Sequence, residues 1–303
     1  MPRSYGFVKV DVFTTVPFEG NPLAVFTDAT GLDTAAMQRI ACELNLSETT
    51  FVFPPADPNH AAAVRIFSPR SELPFAGHPT LGTAFVVRGD AEDDRLVLEE
   101  GIGPVPVRVA RAADGAVQFW LTAPPITFGD KIDPAAVTHA LGLRPNDIRP
   151  DTPPEVAGAG PRFLFVGLRN REAVDRVELL DYRALRAAAP NAPTGVFVFA
   201  TLEESDGEDG YTYAVYSRMF APEIGVAEDP ATGSATGPLA AYMIRHGLLP
   251  LANGLRMVSE QGTKMGRRSL LHVLIHTDDD GAPPRIEVGG SVVPIARGEM
   301  TLP

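Results

Sequence analysis

The stretches "GHPTLGTA" (Gly77–Ala84) and "EDPATGSA" (Glu228–Ala235) decide how this chain reads. Each sets a polar residue, His78 or Asp229, before a proline, and each then enters a run of small and apolar residues. Asp is a favoured N-cap and Pro is favoured in a first helical turn, so both stretches predict helix starts. The runs that follow, "TLGTAFVV" and "TGSATGPLAAYMI", are apolar around most of the circumference, which predicts buried helices. Other pairs occur in the same order at nearly the same offset. "RIFSP" at Arg65 answers "RMFAP" at Arg218, and "FVF" at Phe51 answers "FVF" at Phe197. Ordered, composite matches of this kind indicate an internal duplication.

The rest of the chain supports strands around those helices. Val8, Val10 and Val12 alternate with Lys9, Asp11 and Phe13, a strand pattern. "PFEGNP" (Pro17–Pro22) interrupts it and "LAVF" resumes it. Asp33 reads as an N-cap for a helix carrying Met37, Ile40, Ala41 and Leu44 and ending near Asn45. "ETTFVF" (Glu48–Phe53) and "AAVRIF" (Ala62–Phe67) are further strands, and "LVLEE", "VPVRVA" and "AVQFWLT" form a meander. A helix over Asp133–Leu143 marks a domain boundary after the Pro124–Pro125 break. Strand "RFLFVGL", helix "DYRALRAAA" and strands "GVFVFA" and "YTYAVYSRMF" repeat the style. The acidic segments Glu203–Gly210 and "DDDGAPP" near Asp278 read as solvated turns.

Bulk properties exclude several classes. The 303 residues suit two domains, and an apolar fraction of 45% is enough for real cores. No run of about 18 apolar residues suggests a membrane span, and the N-terminus has no apolar export-signal core. A net charge of −12 without a basic block disfavours nucleic-acid binding. The single cysteine, Cys42, allows no intrachain disulfide, which fits a reducing cytoplasm, and it excludes any two-thiol mechanism. There is no nucleophile elbow and no dinucleotide-binding glycine motif. His272 and His276 fall in an alternating strand pattern and show no metal-ligand spacing.

Two helix N-termini facing one cleft would bind a carboxylate through their amides and partial positive charge. Gly82 and Gly233 would admit a ligand close to the backbone, and Thr83 and Ser234 would offer hydroxyls. Singly, His78 and Asp229 read as caps and nothing more. As matched members of a duplicated device that diverged into His and Asp, they point to a site. Glu48 in "LNLSETTFVF" also has two readings. It is a surface or arginine-paired residue, or it is a carboxyl raised by apolar surroundings from about 4.3 to roughly 6 or 7, fit to move a proton between carbons.

At these residues the chain resembles the phenazine-biosynthesis PhzF-like family of isomerases. The resemblance rests on "VDVFT…GNPLAV", "LSETTFV", "FSP..ELPFAGHPTLGTA", "EDPATGSATGPLAAY" and "EQGTKMGR", and it spans essentially the whole chain. It implies an α+β, diaminopimelate epimerase-like fold. In that fold two similar domains, each a mixed β-barrel-like sheet wrapped around a central helix, hold an active site in the cleft between them. The boundaries it suggests are residues 1–124, with a tail of about 290–303 packing back, and residues 125–289. It implies Glu48 as general acid/base, with His78 and Asp229 completing the catalytic set. Gly77, Gly233 and Ser234 are expected to hold a substrate carboxylate, Asn21 to touch substrate, and Gln261 and Gly262 to border the cleft. The expected activity shifts a hydrogen and a double bond in a dihydro-hydroxyanthranilate-like substrate, without metal or organic cofactor. The expected form is a cytoplasmic homodimer with a small carboxylate substrate and no nucleic-acid or membrane partner.

Two departures stand out. The related epimerases carry a cysteine on each helix device, where this chain reads Gly77-His78 and Glu228-Asp229; and "GRRS" from Gly266 lacks an expected proline. The alternatives are a non-catalytic small-molecule-binding or protein-interaction member of the same fold, and a two-base epimerase using carboxylate and imidazole.

Overall fold

A computed structural model describes residues 3–189, 194–202, 213–278 and 282–302. The expected acidic turn at Glu203–Gly210 and the middle of that at Asp278 lie outside the described residues. The chain divides into two units, Met1–Thr122 with Gly289–Pro303, and Ala123–Val288.

In the first unit, β1 (Arg3–Val12) pairs antiparallel with β2 (Asn21–Phe26) and with the C-terminal strand Arg285–Leu302. β2 runs parallel to β3 (Glu48–Phe53), which pairs antiparallel with β4 (Ala62–Phe67). β4 takes the short β5 (Glu72–Leu73) antiparallel and β6 (Arg95–Glu100) parallel. β7 (Gly103–Arg111) and β8 (Val117–Thr122) complete the meander. Helix α1 (Thr34–Leu44) joins β2 to β3, and α2 (Gly77–Arg88) joins β5 to β6. The limits of α1 follow from its sequence. Asp33 accepts from Ala36 N at one end, and Asn45 closes the other at φ 49.

Strands β2 and β3 are covered on both faces, so they read as near-continuous apolar runs rather than as alternation with solvent. On the α1 face, Phe26, Phe51 and Phe67 form a ladder with centroids 5.0 and 5.5 Å apart, closed by Met37 and Ile40. On the other face, α2 lies on β1 and β2, and its first eight residues are all buried. Contact there is close because Gly82 has no side chain. A Cβ at Gly82 would sit 2.6 Å from Leu23 Cδ2 and 2.9 Å from Val12 Cγ2. Gly82 thus serves helix–sheet packing, not ligand approach as its sequence context suggested.

The second unit starts with β9 (Thr127–Lys131), α3 (Pro134–Ala140) and β10 (Glu155–Gly158), the two strands pairing antiparallel. β10 pairs antiparallel with β11 (Arg162–Gly167), β11 parallel with β12 (Gly195–Leu202), and β12 antiparallel with β13 (Tyr213–Ala221). β13 takes β14 (Val226–Asp229) antiparallel and β15 (Leu255–Gln261) parallel, and β15 pairs antiparallel with β16 (Ser269–His276). From β10 to β16 these are the pairings of β1 to β7 in the same order. Helices α4 (Arg171–Arg176) and α5 (Tyr182–Ala188) stand where α1 stands, and α6 (Gly233–Arg245) where α2 stands.

The arginines of "RIF" and "RMF" build the same clamp in each unit. Arg65 grips Glu72 with two hydrogen bonds of 2.7 and 2.6 Å and lies over Phe67. Arg218 grips Glu228 at 2.8 and 2.8 Å and lies over Phe220. Arg218 is buried and also donates to the carbonyls of Val174, Asp175 and Val177 at the end of α4. Registered on these arginines, the "FVF" match slips by one residue. Phe51 lies opposite Arg65, whereas Val198, not Phe197, lies opposite Arg218. A one-residue slip exchanges faces, so Phe51 packs toward α1 and Phe197 toward α6.

Gly82→Ala tests the packing. In an ordinary helix the change is favourable by about 1 kcal/mol. Here the overpacking should destabilise the protein by about 1–3 kcal/mol. The expected reading is a lower urea midpoint at unchanged slope, and a higher midpoint would contradict the close approach.

Candidate active site

Strand parity sets what Glu48 meets. In the parallel pair β2–β3, Leu23 stands opposite Glu48. Alternate residues share a face, so Asn21, Leu23 and Val25 point with Glu48 and Thr50 to one side. That side carries α2, since Thr83 Oγ1 donates to Thr50 Oγ1 at 2.8 Å and Gly82 rests on Leu23. The first turn of α2 holds Gly77 and His78, both buried. Glu48 Oε2 lies 3.4 Å from His78 Nε2, with the side chains 15% and 7% exposed. Asn21, wholly buried, opens β2 opposite Val12.

Burial pushes the His78 imidazole down to about 3. The ring is therefore neutral near pH 7, and its contact with Glu48 is one of a carboxyl with a neutral imidazole rather than an ion pair. Behind it, Thr80 Oγ1 reaches the Ala76 carbonyl at 2.7 Å and Glu100 Oε1 at 2.6 Å. Glu100 ends β6 and is buried, and desolvation raises its carboxyl to about 8 against the opposing hydrogen bond from Thr80.

In the second unit Asp229 ends β14 and is buried. Its Oδ2 accepts from Thr232 Oγ1 at 2.6 Å. Gln261, wholly buried at the end of β15, ties the segment together. Its Nε2 donates to the Asp229 carbonyl at 2.7 Å and to Thr232 Oγ1 at 3.0 Å, and its Oε1 accepts from Thr232 N at 3.1 Å. Helix α6 then starts at Gly233, and Ala235 N and Thr236 N turn back to Thr232 O. The amides of Gly233 and Ser234 precede those bonds, at the positive end of the helix.

The residues expected from sequence thus form two sets. Glu48 and His78 are in contact, with Gly77 beside His78 in the chain and Asn21 on the same sheet face as Glu48; Asp229, Gly233 and Ser234 gather at the start of α6. Neither His78 nor Asp229 is an N-cap. The caps are Ala76 and Thr232, and His78 lies inside α2. The difference comes from pairing. Asp229 is held extended opposite Met219, so the helix begins only after Pro230. In the first unit β5 ends at Leu73, leaving the chain able to turn into helix at Gly77. Thr83 spends its hydroxyl on Thr50. Cys42 is exposed on α1. Sequence reasoning missed Thr80, Glu100 and Thr232. The signal for Glu100 was "EEG" (Glu99–Gly101) against "EQG" (Glu260–Gly262).

Among the described residues no group of three or more His, Cys, Asp and Glu is placed to hold a metal ion, and no helix is long and apolar enough to cross a membrane.

The sequence profile of the phenazine biosynthesis-like protein family (PhzC-PhzF) matches residues 10–298. The trans-2,3-dihydro-3-hydroxyanthranilate isomerase of Pseudomonas fluorescens is 38% identical over 298 residues, covering 98% of this chain and 100% of that protein. A predicted epimerase of Pseudomonas aeruginosa, known from its solved structure, is 33% identical with a TM-score of 0.79, covering 98% of this chain and 99% of its own. A PhzF-family phenazine biosynthesis protein of Bacillus anthracis shares the fold at a TM-score of 0.88, with 23% identity and coverage of 98% and 99%.

The depressed value of His78 has a signed consequence. Its folded pKa lies below the unfolded 6.5, so its contribution to stability is present above pH 6.5 and is lost as pH falls toward 3. The wild-type urea midpoint should therefore drop more steeply between pH 6.5 and 4 than that of His78→Gln. Parallel curves would contradict a neutral, buried ring.

Proposed function

The chain belongs to the phenazine biosynthesis-like protein family, and from that premise we propose that it is a cofactor-independent isomerase that shifts a proton and a double bond in a small unsaturated carboxylate, with Glu48 as general acid and base. The observation that carries the reading is the buried contact of Glu48 with His78 on the α2 face. The substrate class follows the name of the Pseudomonas fluorescens relative, trans-2,3-dihydro-3-hydroxyanthranilate.

In this reading the Glu48 carboxylate removes a proton from a carbon adjacent to, or vinylogous with, the π system, and the resulting acid returns it to a different carbon. One residue performs both transfers, and no proton is gained or lost overall. His78, neutral, hydrogen-bonds a substrate heteroatom without contributing a charge of its own. Asp229 and Asn21 hold polar groups of the substrate. The amides at the helix starts, Gly77 on α2 and Gly233 and Ser234 on α6, are each candidates to receive a carboxylate, as helix N-termini favour anions. Holding the reacting carbon against Glu48 supplies much of the rate.

The same proposal includes an internal duplication, with each unit a mixed sheet wrapped on one buried helix, α2 or α6. The shared order of strand pairings and the repeated Arg–Phe–Glu clamp support it. Under that register the counterpart of Glu48 is Gly195, because Leu23 faces Glu48 and Phe163 faces Gly195 in the parallel pairs. The chain therefore carries one such carboxyl, which suits a single residue that takes and returns the proton better than a two-base epimerase.

The test is turnover of trans-2,3-dihydro-3-hydroxyanthranilate in deuterated buffer, followed by NMR. Wild-type protein should move the double bond and place deuterium at the new position. Glu48→Gln should lose about 10²–10⁴-fold in rate. Exchange that survives in Glu48→Gln would remove Glu48 from the role, and inversion without double-bond migration would favour an epimerase.

A further inference from the structure

The last residues of β6 and β15 share one register position. Ala63 of β4 pairs with Glu99, and Tyr216 of β13 pairs with Glu260. Ala63 and Tyr216 each stand two residues before the arginine of the clamp. Glu100 and Gln261 therefore correspond, and Gly101 and Gly262 follow them. Both glycines press on the segment leading to the buried helix. A Cβ would come within 2.8 Å of Pro74 Cα at Gly101 and within 2.6 Å of the Pro230 carbonyl at Gly262, where φ is also +77. Both side chains are buried, and each meets a threonine hydroxyl, Thr80 or Thr232.

The hydroxyl protons settle who donates. In the second unit the Gln261 amide donates to Thr232 Oγ1, and Thr232 passes its own proton to Asp229 Oδ2. In the first unit Thr80 has one proton and two close acceptors, the Ala76 carbonyl and Glu100 Oε1. A carboxylate would leave one of those contacts without a proton. A carboxylic acid satisfies both, with the acid donating to Thr80 Oγ1 and Thr80 donating to Ala76 O. Glu100 Oε2 is buried with no hydrogen-bond partner, a costly setting for a charged oxygen and a tolerable one for a neutral carbonyl.

We propose that Glu100 is a neutral carboxylic acid that fixes the start of α2, and with it His78, as the amide of Gln261 fixes Asp229 and the start of α6. Glu100 is thus a positioning residue for the site, and this part rests on the reading of His78 as a member of it.

The titratable groups on the elements packed against β6 are His78 and Arg88 of α2, Arg65 of β4, and Arg108 and Arg111 of β7; β6 itself carries Arg95 and Glu99. Arg65 is taken by Glu72, Arg88 by the Asp93 carbonyl, and Glu99 by the amides of Ala56 and Asp57 and by His60. Thr80 is the hydrogen-bond partner of Glu100 among the described residues. Desolvation thus acts on Glu100 without a paired cation, in keeping with its rise to about 8. The folded value lies above the unfolded 4.5, so its contribution to stability is complete below pH 4.5 and is lost as pH rises through 8.

The test labels the glutamate carboxyl carbons with 13C and follows them by NMR from pH 4 to 9, with Glu100→Gln assigning the resonance. Glu100 should keep the shift of a neutral acid at pH 7 and titrate near 8. An ionised carboxylate at pH 7 would overturn the proposal. This reading needs no turnover, so it stands or falls apart from the isomerase assignment. In the isomerase assay, Glu100→Ala should lower kcat on the order of 10–100-fold with a smaller change in KM, as misplacement does. Glu100→Gln should recover most of that loss and flatten the decline above pH 8. Glu100→Gln impaired as severely as Glu100→Ala would refute the neutral-donor role.

Discussion

Strands β2 and β3, buried on both faces, have no solvent side, and this constraint governs what their polar residues meet. Every residue of β2 and β3 must meet either the aromatic ladder under α1 or the buried face of α2. Polar residues on such strands are costly unless they find a partner. Thr50 has Thr83, and Glu48, two residues earlier on the same face, has His78. A slip of one residue would send Glu48 toward Phe26 and Phe67 instead. The register that places the carboxyl is held by the Phe ladder and by the Arg65–Glu72 clamp, both remote from the α2 face.

The two units share a plan and differ in its polar positions. The clamp is half-exposed at Arg65 and buried at Arg218, where it also closes the end of α4. Gly195 stands where Glu48 stands, and a side chain there would collide with the Phe220 carbonyl at 2.7 Å. His78 and Asp229 occupy matched sequence positions, yet one lies in a helix and the other closes a strand. In the proposed duplication the scaffold is what remained common, and the residues lining the starts of α2 and α6 are what diverged.

Burial sets the protonation of His78 and Glu100 in the first unit. It discharges His78 and favours the acid form of Glu100, so these two side chains are neutral near pH 7. The second unit reaches a similar end with an amide. Gln261 donates and accepts without titrating, and it anchors the turn between Asp229 and α6 through three hydrogen bonds. Neutral donors position a site without adding a field that would oppose charge developing on a substrate.

Many of the strands, the two buried helices and the ends of α1 were legible in the sequence, which also singled out Glu48, His78, Asp229 and their glycines as candidates, because hydrophobic period, caps and composite motifs are local properties. It also pointed to the proposed duplication, through "RIF" and "RMF". Tertiary structure decided what those patterns leave open. It moved the caps to Ala76 and Thr232, because pairing of Asp229 with Met219 delays one helix and not the other. It assigned Gly82 to packing, shifted the "FVF" match by one residue, and brought Glu100 to Thr80. Each of these depends on which strand lies beside which, and in what register. Such contacts join residues far apart in the chain and leave no period or spacing in the sequence for local reading to detect.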